Sequence, residues 1–125
     1  KTIWRNKDHK YRASLGRSED GTRVYAKTMD GELVAVDATT ADFNKLWVVD
    51  MKLGYEHAPC IVAEKNGIVY AGSRRGLVVA VNPKTQSVIK TFTLGKSETN
   101  GIDLDPTTGN VYTSLIEGTI FKLNE

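Results

Sequence analysis

Apolar and polar positions alternate with a period of two around a Val-Tyr pair, and that pattern occurs three times, over residues 22–28, 67–73 and 110–115. A period of two is that of a half-buried β-strand. Each stretch runs into a turn, centred on Met29-Asp30-Gly31, Arg74-Arg75-Gly76 or Ile116-Glu117-Gly118. A second, short apolar strand follows at Leu33–Val36, Leu77–Val81 and Thr119–Leu123. Tyr25, Tyr70 and Tyr112 each precede the turn glycine by six residues, and the copies recur after 45 and then 42 residues. Glycine at the same place in three turns predicts a backbone with positive φ, as tight hairpins require. Asp37, Asn82 and Asn124 close the second strand, and Asp37-Ala-Thr-Thr40 and Asn82-Pro-Lys-Thr85 read as Asx-type turns.

Two more strands complete each unit. An outer strand is predicted at Lys45–Asp50 and at Val88–Leu94, and Thr2–Arg5 has the same character, with Trp4 and Trp47 one period apart. An inner strand is predicted at Tyr11–Leu15, Ala58–Ala63 and Gly101–Asp105, with Pro59 tolerated near a strand start. No window has convincing helical periodicity. Four short strands repeating at a period in the forties are the signature of propeller blades. The expected fold is therefore all-β, a partial β-propeller of four-stranded antiparallel blades, about three in this chain. Repeat units are expected at 7–51, 52–95 and 96–125, with 1–6 the outer strand of a preceding blade. That makes twelve strands, the last blade stopping after its third. Closed propellers use about four to eight blades, so the remaining blades are expected from a parent chain or a second copy, and the isolated chain is expected to self-associate.

Composition narrows the function classes. The 125 residues include 17 basic and 15 acidic side chains, for a formal charge of +2, with no basic run interleaved with aromatics that would call for nucleic acid. No apolar stretch approaches the roughly 18 residues of a membrane span, and Lys1–Lys7 has no signal-peptide character. Cys60 is the only cysteine, so no intrachain disulfide can form. Its apolar neighbours suggest a buried, inert thiol.

The segments Ala35-Val-Asp37, Thr40, Trp47 and Gly67-Ile-Val-Tyr-Ala-Gly-Ser followed by Gly76-Leu-Val-Val-Ala-Val resemble the repeat of the pyrroloquinoline-quinone-type, or quinoprotein-like, β-propellers. That repeat reads roughly Val-Tyr-x-Gly-x-x-x-Gly-x-x-x-Ala-x-Asp-x-x-Thr-Gly-Lys-x-x-Trp. The resemblance covers essentially the whole chain and implies that Trp4 and Trp47 dock against neighbouring blades. Ala41 and Gln86 replace the glycine after threonine, Lys90 stands where the third tryptophan would be, and Lys122 replaces the alanine. The stretch from Trp4 through Tyr11-Arg-Ala-Ser-Leu to Glu32-Leu also resembles the propeller that accompanies a calcineurin-like metallophosphoesterase in bacterial multidomain proteins. Any catalysis would then belong to the other domain. These resemblances imply a bacterial, exported protein, periplasmic or extracellular.

The candidate chemistry is sparse. His9 and His57 stand in no metal-ligand spacing, and Asp50, Asp103 and Asp105 lack the clustering of a Ca²⁺ loop. No Ser-His-Asp, P-loop or dinucleotide motif is present. His9 reads as a solvated loop residue. The entries to the inner strands carry Tyr11, Arg12, Tyr55, Glu56, His57 and Asn100, and the glycine hairpins carry Asp30, Arg74, Arg75 and Glu117. Both sets are expected on one face, as either a binding rim or ordinary hydrated loops. The sequence thus predicts a non-catalytic propeller module displaying a protein- or ligand-binding surface, with no catalytic residues, cofactor or metal. The alternative is part of a quinoprotein-like dehydrogenase, or the accessory domain of a metallophosphoesterase.

Overall fold

A computed structural model describes residues 4–8, 11, 15–56, 62–105 and 107–123. Among them are eleven strands: β1 (Gly16–Arg17), β2 (Arg23–Lys27), β3 (Glu32–Asp37), β4 (Lys45–Asp50), β5 (Val62–Lys65), β6 (Ile68–Gly72), β7 (Leu77–Asn82), β8 (Ser87–Thr93), β9 (Thr99–Leu104), β10 (Val111–Leu115) and β11 (Ile120–Leu123). They form three antiparallel sheets in sequence order: β1–β4, β5–β8 and the three-stranded β9–β11. No helix occurs among the described residues. The fold is all-β, built of propeller-type blades.

The three Val-Tyr strands occupy equivalent positions. Tyr25 pairs with Ala35, Tyr70 with Ala80 and Tyr112 with Lys122, each between the second and third strand of its sheet. Gly31, Gly76 and Gly118 have φ of 77°, 75° and 110° in the hairpins that follow. The Asx turns form as their sequences require: Asp37 Oδ1 accepts from the Thr39 N–H and Oγ1, and Asn82 Oδ1 from the Lys84 N–H.

The first strands and the amino-terminal strand depart from expectation. Tyr11 makes only an isolated bridge to Thr28, and the inner strand of the first sheet is Gly16–Arg17, where Gly16 pairs with Tyr25. Gly16 selects that register: a Cβ there would lie 2.7 Å from the Val62 carbonyl oxygen, so only glycine lets β1 approach β5 this closely. In the second sheet the inner strand runs on to Lys65, and Ala58–Ile61, including Pro59 and Cys60, lie outside the described residues. The third begins two residues earlier than predicted, at Thr99. Trp4 and Arg5 are not in a strand. An extended segment becomes a strand only by hydrogen bonding to a neighbour, and no described sheet precedes the first. Thr2, Ile3, His9 and Asn124 lie outside the described residues.

The sheets stack face to face. Tyr25, Leu33, Ala35 and Val49 of the first sheet pack with Val62, Val69, Ala71, Val79 and Val81 of the second, joined by Met51 and Leu53 from the linker. Tyr70, Val78, Ala80 and Phe92 on the other side of the second sheet pack with Val111 and Leu123 of the third. The middle sheet is buried on both faces, which explains the almost unbroken apolar runs of β6 and β7. At roughly 1.5–3 kcal/mol per buried aliphatic or aromatic side chain, these two layers are the main stabilising term.

The hairpin glycines carry a second constraint besides φ. A Cβ on Gly76 would sit 2.5 Å from Gly95 backbone atoms, whereas one on Gly67, at φ 73°, meets nothing within 4 Å. Gly76→Ala is therefore expected to cost about 1–3 kcal/mol more than Gly67→Ala, because backbone strain is joined by a clash that cannot relax cheaply. Urea titration of both variants measures the difference; equal losses would mean that the close approach is not there.

Candidate functional site: the hairpin face

The β2–β3, β6–β7 and β10–β11 hairpins and the linkers between sheets lie on one side of the stack, tied together by backbone bonds. The Met51 N–H donates to the Gly31 carbonyl at 3.1 Å and the Glu56 N–H to that of Met29 at 2.7 Å. In the next unit the Leu94 N–H donates to Gly76 at 2.9 Å, and the Ile116 N–H donates to Glu98 at 2.8 Å. This places Asp30, Tyr55, Glu56, Arg74, Arg75 and Glu117 on a common face. Asn100, exposed, sits at the start of β9. Tyr11 borders the same end of the first sheet through its bridge to Thr28. Burial, with the Asp8 hydrogen bond next, pushes its hydroxyl up to about 12. Arg12 and His57 lie outside the described residues.

The structure separates these residues into two kinds. Glu56 is a structural group and not part of an open rim: it is 2% exposed. Its Oε1 accepts from Lys27 Nζ at 2.7 Å, and its Oε2 accepts from Ser73 Oγ at 2.7 Å and Arg75 Nε at 3.0 Å. Lys27, 1% exposed, also donates to the Gly72 carbonyl at 3.0 Å, and Arg75 donates to that of Leu53. The network thus joins a strand of the first sheet, the linker and a hairpin of the second. Asp30, Tyr55 (66% exposed), Arg74 and Glu117 instead face solvent, with exposed Ile116 beside Glu117.

Lys27 was not singled out by the sequence. Its signal lies in the repeat register: Lys27, Gly72 and Ser114 fall at equivalent positions, and a lone lysine among small residues at a buried strand position must find a carboxylate. Burial works to raise the Glu56 carboxyl, but the bonds from Lys27, Ser73 and Arg75 outweigh it and hold it below the usual carboxylate value. Chemically the cluster is closed. Both Glu56 oxygens are taken by Lys27, Ser73 and Arg75, and Lys27 is held by Glu56 and the Gly72 carbonyl, so the cluster fixes the loops.

A second polar junction joins the same two sheets. Tyr25 donates to Glu64 Oε1 at 2.6 Å, and the Glu19 N–H donates to Glu64 Oε2 at 2.7 Å. Burial, then the Glu64 bond, pushes the Tyr25 hydroxyl up to about 12. Trp47 packs half-buried against the first core layer, its ring 5.8 Å from that of Tyr25. Trp4, exposed, meets Phe43 edge-on at 4.9 Å on the outward face of the first sheet. Lys90, in the third tryptophan position, lies with Nζ 4.8 Å from the Phe92 ring. No group of three or more His, Cys, Asp or Glu able to hold a metal ion exists among the described residues. No described helix is long and apolar enough to cross a membrane.

No family model and no curated protein matches the sequence. Solved structures do match. The chain is similar to the RRP9 WD40 repeats (TM-score 0.70, 17% identity, 88% of this chain and 34% of that one). It is also similar to U3-55K (0.70, 16%, 95% and 40%) and to a chain of the mitotic checkpoint complex (0.77, 16%, 99% and 38%). These likenesses define the class of protein by fold: the sheets are blades of a β-propeller. The chain spans between a third and two fifths of the length of these neighbours.

Because Glu56 titrates lower in the folded chain than unfolded, its stabilisation is complete above the unfolded value of about 4.3 and is lost as pH falls through the folded one. Glu56→Gln is expected to flatten the acid limb of stability against pH below about pH 5. At neutral pH it should cost about 3–5 kcal/mol, since it leaves Lys27 buried without its counter-charge. Chemical denaturation across pH 3–7 checks both effects, and an unchanged acid limb would remove Glu56 from the account.

Proposed function

We propose that this chain is a non-catalytic β-propeller module that displays a protein- or ligand-binding surface on its hairpin face. The observation that carries the reading is the division of labour just described. Lys27, Glu56, Ser73 and Arg75 lock the loops from beneath, while Tyr55, Arg74, Asp30 and Glu117 stand exposed on the locked frame. Tyrosine and arginine held rigidly lose little entropy on binding and are typical anchors of interface hot spots. Support also comes from the likeness to the RRP9 WD40 repeats and to a chain of the mitotic checkpoint complex.

The reading predicts that Tyr55→Ala combined with Arg74→Glu weakens partner capture by about tenfold or more while leaving urea stability within about 0.5 kcal/mol. Affinity capture with quantitative mass spectrometry, run beside a Lys84→Glu control away from the hairpin face, measures it. Equal capture by all three proteins would refute the reading.

A second reading, the quinoprotein-like one, is favoured by the Val69-Tyr-Ala-Gly72 and Ala35-Val-Asp37 motifs. Elemental analysis and an absorbance scan of purified protein separate the two, since a stoichiometric metal or a quinone band would select the second.

A further inference from the structure

A cleft of about 470 Å³ opens between the first and second sheets, lined in part by Asp20, Arg23, Trp47, Glu64 and Gln86. The β1–β2, β5–β6 and β7–β8 turns border it, so it lies at the strand ends opposite the hairpin face. Its size falls within the roughly 300–1,000 Å³ of small-ligand sites. The same place between the second and third sheets is nearly closed, at about 50 Å³. There Ile68 precedes Val69 as Arg23 precedes Val24, and Lys90 pairs with Ala80 as Trp47 pairs with Ala35. Sheet stacking alone therefore does not make the cleft; its own side chains do.

The walls are fixed by their own bonds. Asp20 Oδ1 accepts from Ser18 Oγ at 2.8 Å, and from the Thr22 N–H and Oγ1 at 3.0 and 2.7 Å. The Gly67 N–H donates to Glu19 Oε1 at 2.7 Å, tying the β5–β6 turn to the β1–β2 turn. Arg23 Nε donates to Tyr25 at 2.9 Å, and its Nη2 approaches Glu64 Oε1 at 3.4 Å. Bonding capacity is left over on the cleft side. Among the described residues, Arg23 Nη1, Trp47 Nε1, Asp20 Oδ2 and the Gln86 side-chain amide have no hydrogen-bond partner. Gln86 also stands at φ 56°, a conformation that glycine adopts without strain and other residues do not. A strained position that keeps a polar side chain at a cleft points to a use for that side chain.

We infer that this cleft binds a neutral saccharide unit, with a sugar ring against Trp47 and its hydroxyls bonded to Arg23, Asp20 and Gln86. The lining holds as many acidic as basic side chains. An anion would meet Asp20 and Glu64, a cation would meet Arg23, and a neutral ligand meets neither penalty. A hydroxyl both donates and accepts, so it can use the free donors and the free carboxylate oxygen together. The C–H face of a pyranose is apolar and weakly positive, which suits the negative π face of an indole. The cleft is separate from the hairpin face, and the inference does not rest on the function proposed above.

NMR titration of the isotope-labelled chain with maltotriose, cellotriose, mannotriose and triacetylchitotriose tests it. Trp4 and Trp47 give separate indole N–H signals, which Trp4→Phe assigns. At least one trisaccharide should move the Trp47 signal saturably and leave that of Trp4 in place. Trp47→Leu should weaken this binding by about tenfold or more. Gln86→Gly should weaken it about three- to tenfold, the loss of a hydrogen bond, while urea stability stays level or rises because glycine relieves the strain. That pairing of outcomes separates a binding role from a structural one. No saturable Trp47 shift with any of the panel would overturn the inference. So would a shift confined to Trp4, binding unaffected by Gln86→Gly, or stronger binding of an Asp-rich hexapeptide than of every saccharide, which would mark an anion site.

Discussion

Everything in this chain depends on sheets stacking face to face, so that the middle strands are buried on both sides. A strand in that position cannot alternate apolar and polar residues, because neither of its faces meets water. Val69-Tyr70-Ala71 and Val79-Ala80-Val81 satisfy the condition. In the third sheet, stacked on one side, the alternation returns: β10 keeps Val111, Thr113 and Leu115 buried while Tyr112 and Ser114 are half-exposed. Small residues opposite the tyrosines, Ala35 and Ala80, leave room for the aromatic ring in each layer.

Burial on both faces raises the cost of every polar group between the sheets, and the two inter-sheet networks answer that cost. Tyr25 brings a hydroxyl into the first layer and Glu64 accepts it; Lys27 brings an ammonium and Glu56 accepts it. A paired and fully bonded group in low dielectric resists displacement more than an apolar contact does, because losing one partner strands the other. The linker from Met51 to Glu56 is therefore pinned at both ends, by Gly31 and by Lys27. Stiff loops on a stiff stack make exposed side chains above them serviceable as a recognition surface.

The second and third strands, their hairpins and the Asx turns were legible because each is dictated locally: by a period, a positive φ or a side-chain cap. The inner strand of the first sheet was not, since it is short and its register is set by approach to the neighbouring sheet. Gly16 shows this, being placed in β1 by its proximity to Val62 and not by any pattern in its own segment. The exposure of Asp30, Arg74 and Glu117 could be read from their hairpin positions, and that of Tyr55 from the loop before an inner strand. The burial of Glu56 could not, because it follows from Lys27, whose oddity appears only when the three repeats are aligned in register. Trp4 and Trp47 share a spacing and a residue type, yet Trp47 is half-buried in the layer between the first two sheets while Trp4 lies exposed against Phe43 on the first.

Native-state hydrogen exchange tests most directly whether stacking makes the sheets one cooperative unit. The account predicts that amides of Tyr25, Ala35, Tyr70, Val79 and Ala80 share one opening free energy equal to the global stability, with those of β11 opening more easily. Exchange of the first sheet at a lower free energy than the second, with the second keeping its full protection, would contradict it.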